Sequence, residues 1–552
     1  MTPEELSQVV HSTLIQATAD GDVVLDAVPD QVRVERPKSR DHGDWATNIA
    51  LQLAKQAQMN PRQLAEILAE RLRSHEGIAA VDVAGPGFIN ITLDAASAGE
   101  LARTIVEAGD TYGHNQALSG RTVNLEYVSA NPTGPLHMGH TRMAALGDAI
   151  GRLLRASGAQ LTTEYYINDA GSQMNKFAES VLAALHGEPT PEGGYPGQYI
   201  QDLAEQAAAE RPDLRSMPRT EALPVVREIA YQAQLAQIQQ TLADFHITFD
   251  VYFSERTLHA EGKIDQAVAT LREQGHIEDR DGAVWLRTTD FGDDKDRVLI
   301  KADGEPTYFA ADAAYYLNKR QRGFEENIYL LGADHHGYIG RLKAIAACAG
   351  DDPQANIEVI IGQLISVKGA RLSKRAGNVI LLEDLISWLG ADALRYTLAR
   401  YSADQPLDVD PELLRAKTND NPVFYVQYAH ARACNAARNA AAQGVERTGF
   451  DAGLLTHERE EELLAHLAKF PTVVARSAEL REPHRVARYL EDLAAAYHGW
   501  YAKCRIAPSL DADGQPEPVT DLNRTRLWLN DATVQVLRNG LDLLGVSAPE
   551  QM

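Results

Sequence analysis

Only three cysteines occur in the 552 residues, Cys348, Cys434 and Cys504. They lie far apart, in neither a zinc-ligand spacing nor a disulfide framework. Free buried thiols in a reducing cytoplasm are therefore expected, and a small cross-linked fold is excluded. No uninterrupted apolar stretch reaches 18 residues, so no membrane span is expected. The opening MTPEELSQVVHS lacks the basic segment and apolar core of a secretory signal. No segment recurs with the period of a repeat protein. Positive charge is also short: 53 Lys+Arg stand against 77 Asp+Glu, for a net charge of −24. That deficit weighs against an extended nucleic-acid-binding surface. It is uneven, however. From Pro411 to Met552 there are 16 basic and 19 acidic residues, so −3 falls there and −21 on the rest. A phosphate-rich partner would need a local basic face.

The length predicts two to four domains, and 44% hydrophobic with 24% charged residues is ordinary for a globular protein. Residues 1–112 read as a small α+β module. Helical patterns run through DWATNIALQLAKQAQ and PRQLAEILAERLRS, and IAAVDVAGPGFINITLD reads as two strands joined by a Gly-Pro-Gly turn. Residues 113–390 alternate strands (TVNLEYV, QLTTEYYIN, NIYLLGA, IEVIIGQLISV) with helices, the pattern of a parallel α/β sheet with crossover connections. A Pro/Gly-rich piece, HGEPTPEGGYPGQY, introduces a helical insertion at about 185–260. From 391 to 552 strand patterns vanish, and helical spacing predicts an all-α bundle.

Chemistry concentrates in SANPTGPLHMGHTR, residues 129–142, which follows the strand TVNLEYV and opens a helix. His137 and His140, three apart, admit three readings. As metal ligands they would need partners at suitable spacing, and the adjacent His335 and His336 make a poor pair. As cap residues they would close a helix start. As phosphate-handling groups they would sit at the carboxyl end of a parallel strand, where helix N-termini present free N–H groups. Pro132 belongs to the tight turn leading in, and Gly139 lets a ligand approach the backbone. A second stretch, VKGARLSKRAGNVI (367–380), carries Lys368, Arg371, Ser373, Lys374 and Arg375 between glycines. It suits a basic loop that clamps β- and γ-phosphates, although a solvated turn has the same composition. HxGH followed some 230 residues later by a basic SK loop is far more specific than either alone.

The HMGH and RLSK segments resemble the two signatures of class I aminoacyl-tRNA synthetases. LEYVSANPTGPLHMGH, YYINDAGSQM, TYFAADAAYY, LGADHHGYIGRLKA, DALR (392–395), NPVFYVQYAHAR and LLGVSAPEQM resemble the arginyl-tRNA synthetase family, bacterial type, over nearly the whole chain. One departure is Arg371, where the usual KMSK has its first lysine.

The resemblance implies a Rossmann-like catalytic domain carrying HxGH and KMSK-like motifs. It also implies an N-terminal additional domain touching the tRNA elbow and a C-terminal DALR-type anticodon-binding domain. The reaction it implies has two steps: ATP-dependent formation of arginyl-adenylate with release of pyrophosphate, then transfer to the 3′-terminal adenosine of tRNA(Arg), first to the 2′-OH. His137, His140, Lys374 and Arg371 are the implied catalytic residues, and Pro132, Gly139 and Ser373 join the ATP contacts. Glu126, Asn131, Tyr308 and Asp312, with Asp169 and Gln173, are the implied arginine contacts. A guanidinium is best met by carboxylates, and Tyr308 and Asp312, four apart, would share a face of a helix. For tRNA the implied residues are Phe88 and Asn90 in the first domain and Tyr425, Tyr428, Trp500, Tyr501, Lys503 and Arg505 in the last. Aromatics interleaved with bases suit splayed nucleotides, but at helical spacing they equally suit a core. ATP with Mg²⁺, no zinc, a monomeric state and a cytoplasmic location complete the expectation. Three rivals differ in their marks. A small nucleotidyltransferase needs no helical tail, and a non-catalytic tRNA-binding paralogue would have lost HMGH or RLSK. A synthetase for another amino acid would lack the acids Glu126 and Asp312.

Overall fold

A computed structural model describes residues 3–37, 42–335, 337–363, 365–368, 380–509, 513 and 515–552. Arg371, Ser373 and Lys374 lie outside the described residues.

The N-terminal module holds the helices Pro3–Ala19 and Pro61–Leu72 against an antiparallel sheet of β1 (Trp45–Thr47), β2 (Ile78–Ala84) and β3 (Phe88–Leu93), in the order β1-β3-β2. Pro61 occupies the first helical turn, where its missing N–H costs nothing, and the Asn60 side chain caps the helix by accepting from Arg62 N at 2.9 Å. Its apolar stripe, Leu64, Leu68 and Leu72, is fully buried.

The main sheet is all parallel. Its strands are β4 (Thr122–Glu126), β5 (Gln160–Ile167), β6 (Val251–Ser254), β10 (Glu326–Gly332) and β11 (Ile357–Gly362), in the order β11-β10-β4-β5-β6. The chain winds outward from β4 through β5 to β6, then restarts on the other side with β10. The switch point therefore falls between β4 and β10, and their carboxyl ends open the crevice in which ligands bind. Helix Met138–Ala156 crosses from β4 to β5 and is buried from Thr141 to Gly151. Gly147 makes that close packing possible: a Cβ there would lie 2.3 Å from the Tyr127 ring. In the middle of the sheet Glu126 and Glu164 sit side by side in register. Buried acids this close need cations, and one helix, Tyr308–Gln321 with its cap Arg322, supplies both. Lys319 pairs with Glu126 at 2.6 Å and Arg322 with Glu164 at 2.6 Å.

Three features depart from the sequence reading. The insertion, whose pattern from Ile200 to about Phe245 reads as one long helical stretch, is two helices, Gln198–Glu210 and Arg219–Asp244. A separate antiparallel sheet, β7 (Ile277–Arg280), β8 (Ala283–Leu286) and β9 (Arg297–Ile300), interrupts the α/β alternation. Strands also do not end before 390. β12 (Ile365–Val367) leaves the main sheet and pairs in parallel with β13 (Leu407–Val409). The C-terminal bundle comprises Pro422–Ala442, Glu458–Leu467, Phe470–Leu480, His484–Lys503 and Asp521–Leu543. No helix among the described residues is long and apolar enough to cross a membrane.

Candidate active site

The turn after β4 is strained. Val128 and Ser129 have φ of +68° and +41°, and Ser129 N bonds back to Tyr127 O at 2.9 Å, forming a γ-turn about Val128. A β-branched residue at positive φ is costly and persists where its surroundings over-determine it. Here the Ser129 hydroxyl donates to Glu126 Oε1 (3.2 Å) and accepts from Tyr166 N (3.1 Å). Tyr165 holds Ala130 O at 2.8 Å, and Tyr199 holds Thr133 O at 3.0 Å. These bonds pin SANPTGP from below, with Pro132 buried and Asn131 exposed at the rim.

The two histidines form a reciprocal capping box. His137 is the N-cap, and its Nδ1 accepts from Gly139 N at 3.0 Å; His140 Nδ1 accepts from His137 N at 3.2 Å. The rings lie 3.9 Å apart. Gly139 is exposed, and a Cβ on it would meet His137 Cε1 at 2.8 Å, so the glycine makes room for the folded-back ring. An imidazole whose Nδ1 accepts a backbone N–H carries its proton on Nε2. Burial pushes both rings below the usual histidine range, His140 to about 4, with His137 adding to the effect. Both rings are thus neutral at pH 7 and offer Nε2–H donors. Capping and phosphate handling are therefore compatible rather than alternative readings, because capping fixes the tautomer that donates. The chain on the far side of residues 369–379 is stitched to the same turn: Met138 N donates to Ile380 O (2.8 Å) and Leu382 N to Leu136 O (2.9 Å).

An acidic pocket lies on the other side of β4. Asp312 is half-buried one turn along its helix, and Tyr338 donates a hydrogen bond to it. Burial pushes its carboxyl up to about 7, and the charges of Glu255 and Glu126 add to the shift. Tyr166 stands among these three acids and donates to Glu255. Glu126 is buried and bonded to Lys319, whose ammonium also lies over the Tyr315 and Tyr329 rings at 4.4 and 4.1 Å. At the rim, Asn131 Nδ2 donates to Gln173 Oε1 at 2.9 Å, and the Tyr308 hydroxyl lies 3.5 Å from Ser172 Oγ. Tyr308 is 61% exposed. Sequence reasoning missed Lys319, Tyr166, Glu255 and Tyr338. Only Lys319 left a signal, since two helical turns separate it from Asp312.

Two expectations are corrected. Asp169 does not face the pocket with a free carboxylate. It is fully buried, and Tyr231 (2.8 Å), Ser254 (2.6 Å) and Arg256 N (3.1 Å) occupy its oxygens. It ties the end of β5 to β6. Trp500 is 0% exposed and packs 5.7 Å from Tyr497, so it is core rather than a stacking platform. Its neighbour Tyr501, 38% exposed, presents a ring at the surface. Arg432 lies over the Tyr428 and Tyr501 rings at 4.9 and 5.4 Å and bonds His498 at 3.0 Å. Tyr425 is half-buried, 5.2 Å from His498, while Lys503 and Arg505 are exposed beyond. In the first domain Phe88 is exposed at the hairpin, whereas Asn90 is buried.

Neutral donors on one side of β4 and an acid pocket on the other suit the joining of a nucleotide phosphate to a cationic amino acid. The sheet that holds them is the catalytic fold of class I aminoacyl-tRNA synthetases. The family model "tRNA synthetases class I (R), catalytic domain" matches residues 102–207 and 221–398. "Arginyl tRNA synthetase N terminal domain" matches 4–93, and "DALR anticodon binding domain" matches 426–552. The chain is 69% identical to the arginine–tRNA ligase of Micrococcus luteus and 67% identical to that of Pseudarthrobacter chlorophenolicus, each match covering all of both chains. The arginyl-tRNA synthetase structure from Thermus thermophilus shares the fold, with a TM-score of 0.73 at 22% identity over 99% of this chain and 100% of that one. The chain belongs to the arginyl-tRNA synthetase family.

Proposed function

We propose that the chain ligates L-arginine to tRNA(Arg), with the crevice between β4 and β10 as the place where ATP and arginine meet. The arginine carboxylate attacks the α-phosphate, giving arginyl-adenylate and pyrophosphate; the terminal ribose of the tRNA then takes the arginyl group, first on its 2′-OH. No covalent enzyme intermediate is involved, so the rate enhancement comes from positioning and from donors aimed at developing charge. His137 and His140 donate through Nε2–H to the α-phosphate at the helix N-terminus, with Pro132 and Gly139 shaping the floor. Lys374, aided by Arg371 and Ser373, draws charge onto the departing pyrophosphate. Mg²⁺ arrives as part of the ATP substrate, keeping phosphate and water ligands. Glu126 and Asp312 take the guanidinium beside Tyr308, and Asn131 with Gln173 takes the α-amino end. The observation that carries this reading is the short chain path from Glu126 to His140, which brings an acid pocket and a fixed pair of N–H donors to one strand end. The protein acts as a cytoplasmic monomer on this reading.

Purified protein is expected to charge tRNA(Arg) with arginine in the presence of ATP and Mg²⁺. Absence of product at micromolar enzyme, or equal charging with lysine, would refute the assignment. ATP–pyrophosphate exchange is expected to be negligible until tRNA(Arg) is added, as the family resemblance implies; robust exchange without tRNA would contradict it.

For tRNA the reading selects Tyr428 and Tyr501, with Arg432 between them, as a stacking platform for unpaired nucleotides, flanked by Tyr425, Lys503 and Arg505. Phe88 serves as a second platform near the tRNA elbow. Tyr501→Ala is expected to weaken tRNA(Arg) binding by about 1–3 kcal/mol with little change in thermal midpoint, measured by filter binding and differential scanning calorimetry. A drop in midpoint without loss of affinity would make Tyr501 a packing residue.

A further inference from the structure

The turn that carries Gln173 has no side-chain cap of its own. Gly171 is the N-cap of the helix Ser172–Leu185 and offers nothing to that helix's free N–H groups. Ser172, Gln173 and Asn175 are exposed there, and only Met174 is buried. Yet the turn forms part of the rim of the acidic pocket. Gln173 Oε1 accepts from Asn131 Nδ2 at 2.9 Å, and Ser172 Oγ lies 3.5 Å from the Tyr308 hydroxyl. Gly171 completes the wall, since a Cβ on it would stand 3.4 Å from that same hydroxyl.

The restraint comes from outside the turn, from the insertion helix Arg219–Asp244. Half-buried Arg227 spreads its guanidinium across both ends of the segment: Nη1 donates to Asn175 Oδ1 at 2.9 Å and Nη2 to Asp169 O at 3.2 Å. Residues 171–173 lie between those two points. One helical turn along, Tyr231 donates to the buried Asp169 carboxylate at 2.8 Å, and its ring lies 4.5 Å from the Arg256 guanidinium. Arg256 Nε returns to Asp169 O at 3.1 Å, and its Nη1 reaches Glu228 on the insertion helix at 2.9 Å. The insertion therefore holds Asp169 by carbonyl and carboxylate alike, and Arg227 holds Asn175 as well. A carbonyl and a neutral amide return less energy to a guanidinium than a carboxylate would, so the contact of Arg227 fixes geometry more than it stabilises. Its planar fork serves two acceptors at once, which the point charge of an ammonium does not reproduce.

We propose that the insertion helix positions the rim of the amino-acid pocket: Arg227, by bracketing residues 169–175, sets Gln173 against Asn131 where the α-amino group of arginine binds. This rests on the reading above that Asn131 and Gln173 take that group. Arg227 touches no reactant on this account and is a positioning residue that works through Gln173.

The test is a double-mutant cycle with Arg227→Met and Gln173→Ala, read by arginylation kinetics, with thermal melts of every protein. Arg227→Met is expected to raise KM for arginine by about 5- to 20-fold, with kcat and KM for ATP within about twofold. In the Gln173→Ala background the same change is expected to cost less than about twofold, because the group it positions is gone. Asn175→Ala, at an exposed position where folding is not at stake, releases one end of the bracket and is expected to raise KM for arginine by about threefold. Arg219→Met lies on the same helix but faces Glu188 at 2.9 Å, and is expected to leave all three parameters unchanged. Equal fold losses from Arg227→Met in both backgrounds would overturn the inference. So would KM for ATP rising in step with KM for arginine, no effect of Asn175→Ala, or an Arg219→Met loss as large as that of Arg227→Met. If Gln173→Ala raised KM for arginine and Arg227→Met did not, the inference alone would fall. An unchanged KM in Gln173→Ala would instead refute the reading of the rim, and the inference would fall with it.

Discussion

Asp312→Asn is expected to lower kcat/KM for arginine by about 10²- to 10³-fold while leaving KM for ATP within about twofold, as judged by arginylation kinetics. Removing one carboxylate from a desolvated guanidinium contact costs about 3–5 kcal/mol. The pH dependence adds a second signature. In the empty pocket, burial and the neighbouring charges of Glu255 and Glu126 push the Asp312 carboxyl up to about 7. A guanidinium binds the ionised form, so below neutrality binding must expel a proton. KM for arginine in the parent protein is therefore expected to rise as pH falls below about 7, approaching tenfold per unit, and to level off above it. Asparagine has no proton to lose, so that slope should disappear in the variant. Stability moves the opposite way. A carboxyl with a raised folded-state pKa binds more protons folded than unfolded, so its contribution to stability is lost as pH rises from about 4 to about 7. Asp312→Asn should therefore melt higher than the parent at pH 8 while failing to use arginine. A lower melting temperature together with an unchanged KM for arginine would make Asp312 a structural residue.

The features legible in the sequence were those carried by short, dense segments. Strand, turn and helix succeed one another within TVNLEYVSANPTGPLHMGH, so the parallel sheet and the opening of a helix at the histidine pair beyond a strand end were both expected, and both are found; that this strand end borders the switch point was not legible. The four residues of β6, the three of β12 and the three of β13 are too short to show a period. Their strand state depends on neighbours supplied from far along the chain. Roles that depend on burial were also hidden. Trp500 and Tyr501 are adjacent and look alike in sequence, yet helical rotation sends one into the core and leaves the other at the surface. Asp169 in NDAGSQ has the composition of a ligand contact, but Ser254 and Arg256 arrive more than 80 residues later to occupy it. Val128 could not be recognised as left-handed, since β-branched residues oppose that conformation. The hydroxyl of Ser129, bridging Glu126 and Tyr166, overrides the local preference.

Arg395→Met is expected to destabilise the protein by about 3–5 kcal/mol in chemical denaturation, because Arg395 joins three parts of the chain where no water can replace it. It is fully buried in the DALR segment. Nη2 bonds Asp148 at 2.5 Å on the histidine helix, Nη1 bonds Phe245 O at 2.8 Å at the end of the helical insertion, and Nε bonds Leu544 O at 3.2 Å at the end of the last helix. The fit leaves no slack: a Cβ on Gly545, whose φ is +64°, would lie 2.0 Å from Nη2. Methionine fills much of the volume but leaves two carbonyls without donors and halves the support of Asp148, which keeps Arg152 at 2.8 Å. Asp148→Asn alone should cost less, since asparagine still accepts from the guanidinium. Because both changes remove the same contact, the double variant Arg395→Met/Asp148→Asn is expected to be more stable than the sum of the single losses implies, by more than about 1 kcal/mol. Strict additivity would mean that the carbonyls of Phe245 and Leu544, rather than the carboxylate on the histidine helix, account for the stabilisation at this joint. The last helix of the bundle would then be tied to the insertion alone. Non-additivity would instead show that the anticodon-binding region and the histidine helix share one buried charge, so that a shift of either loads the other.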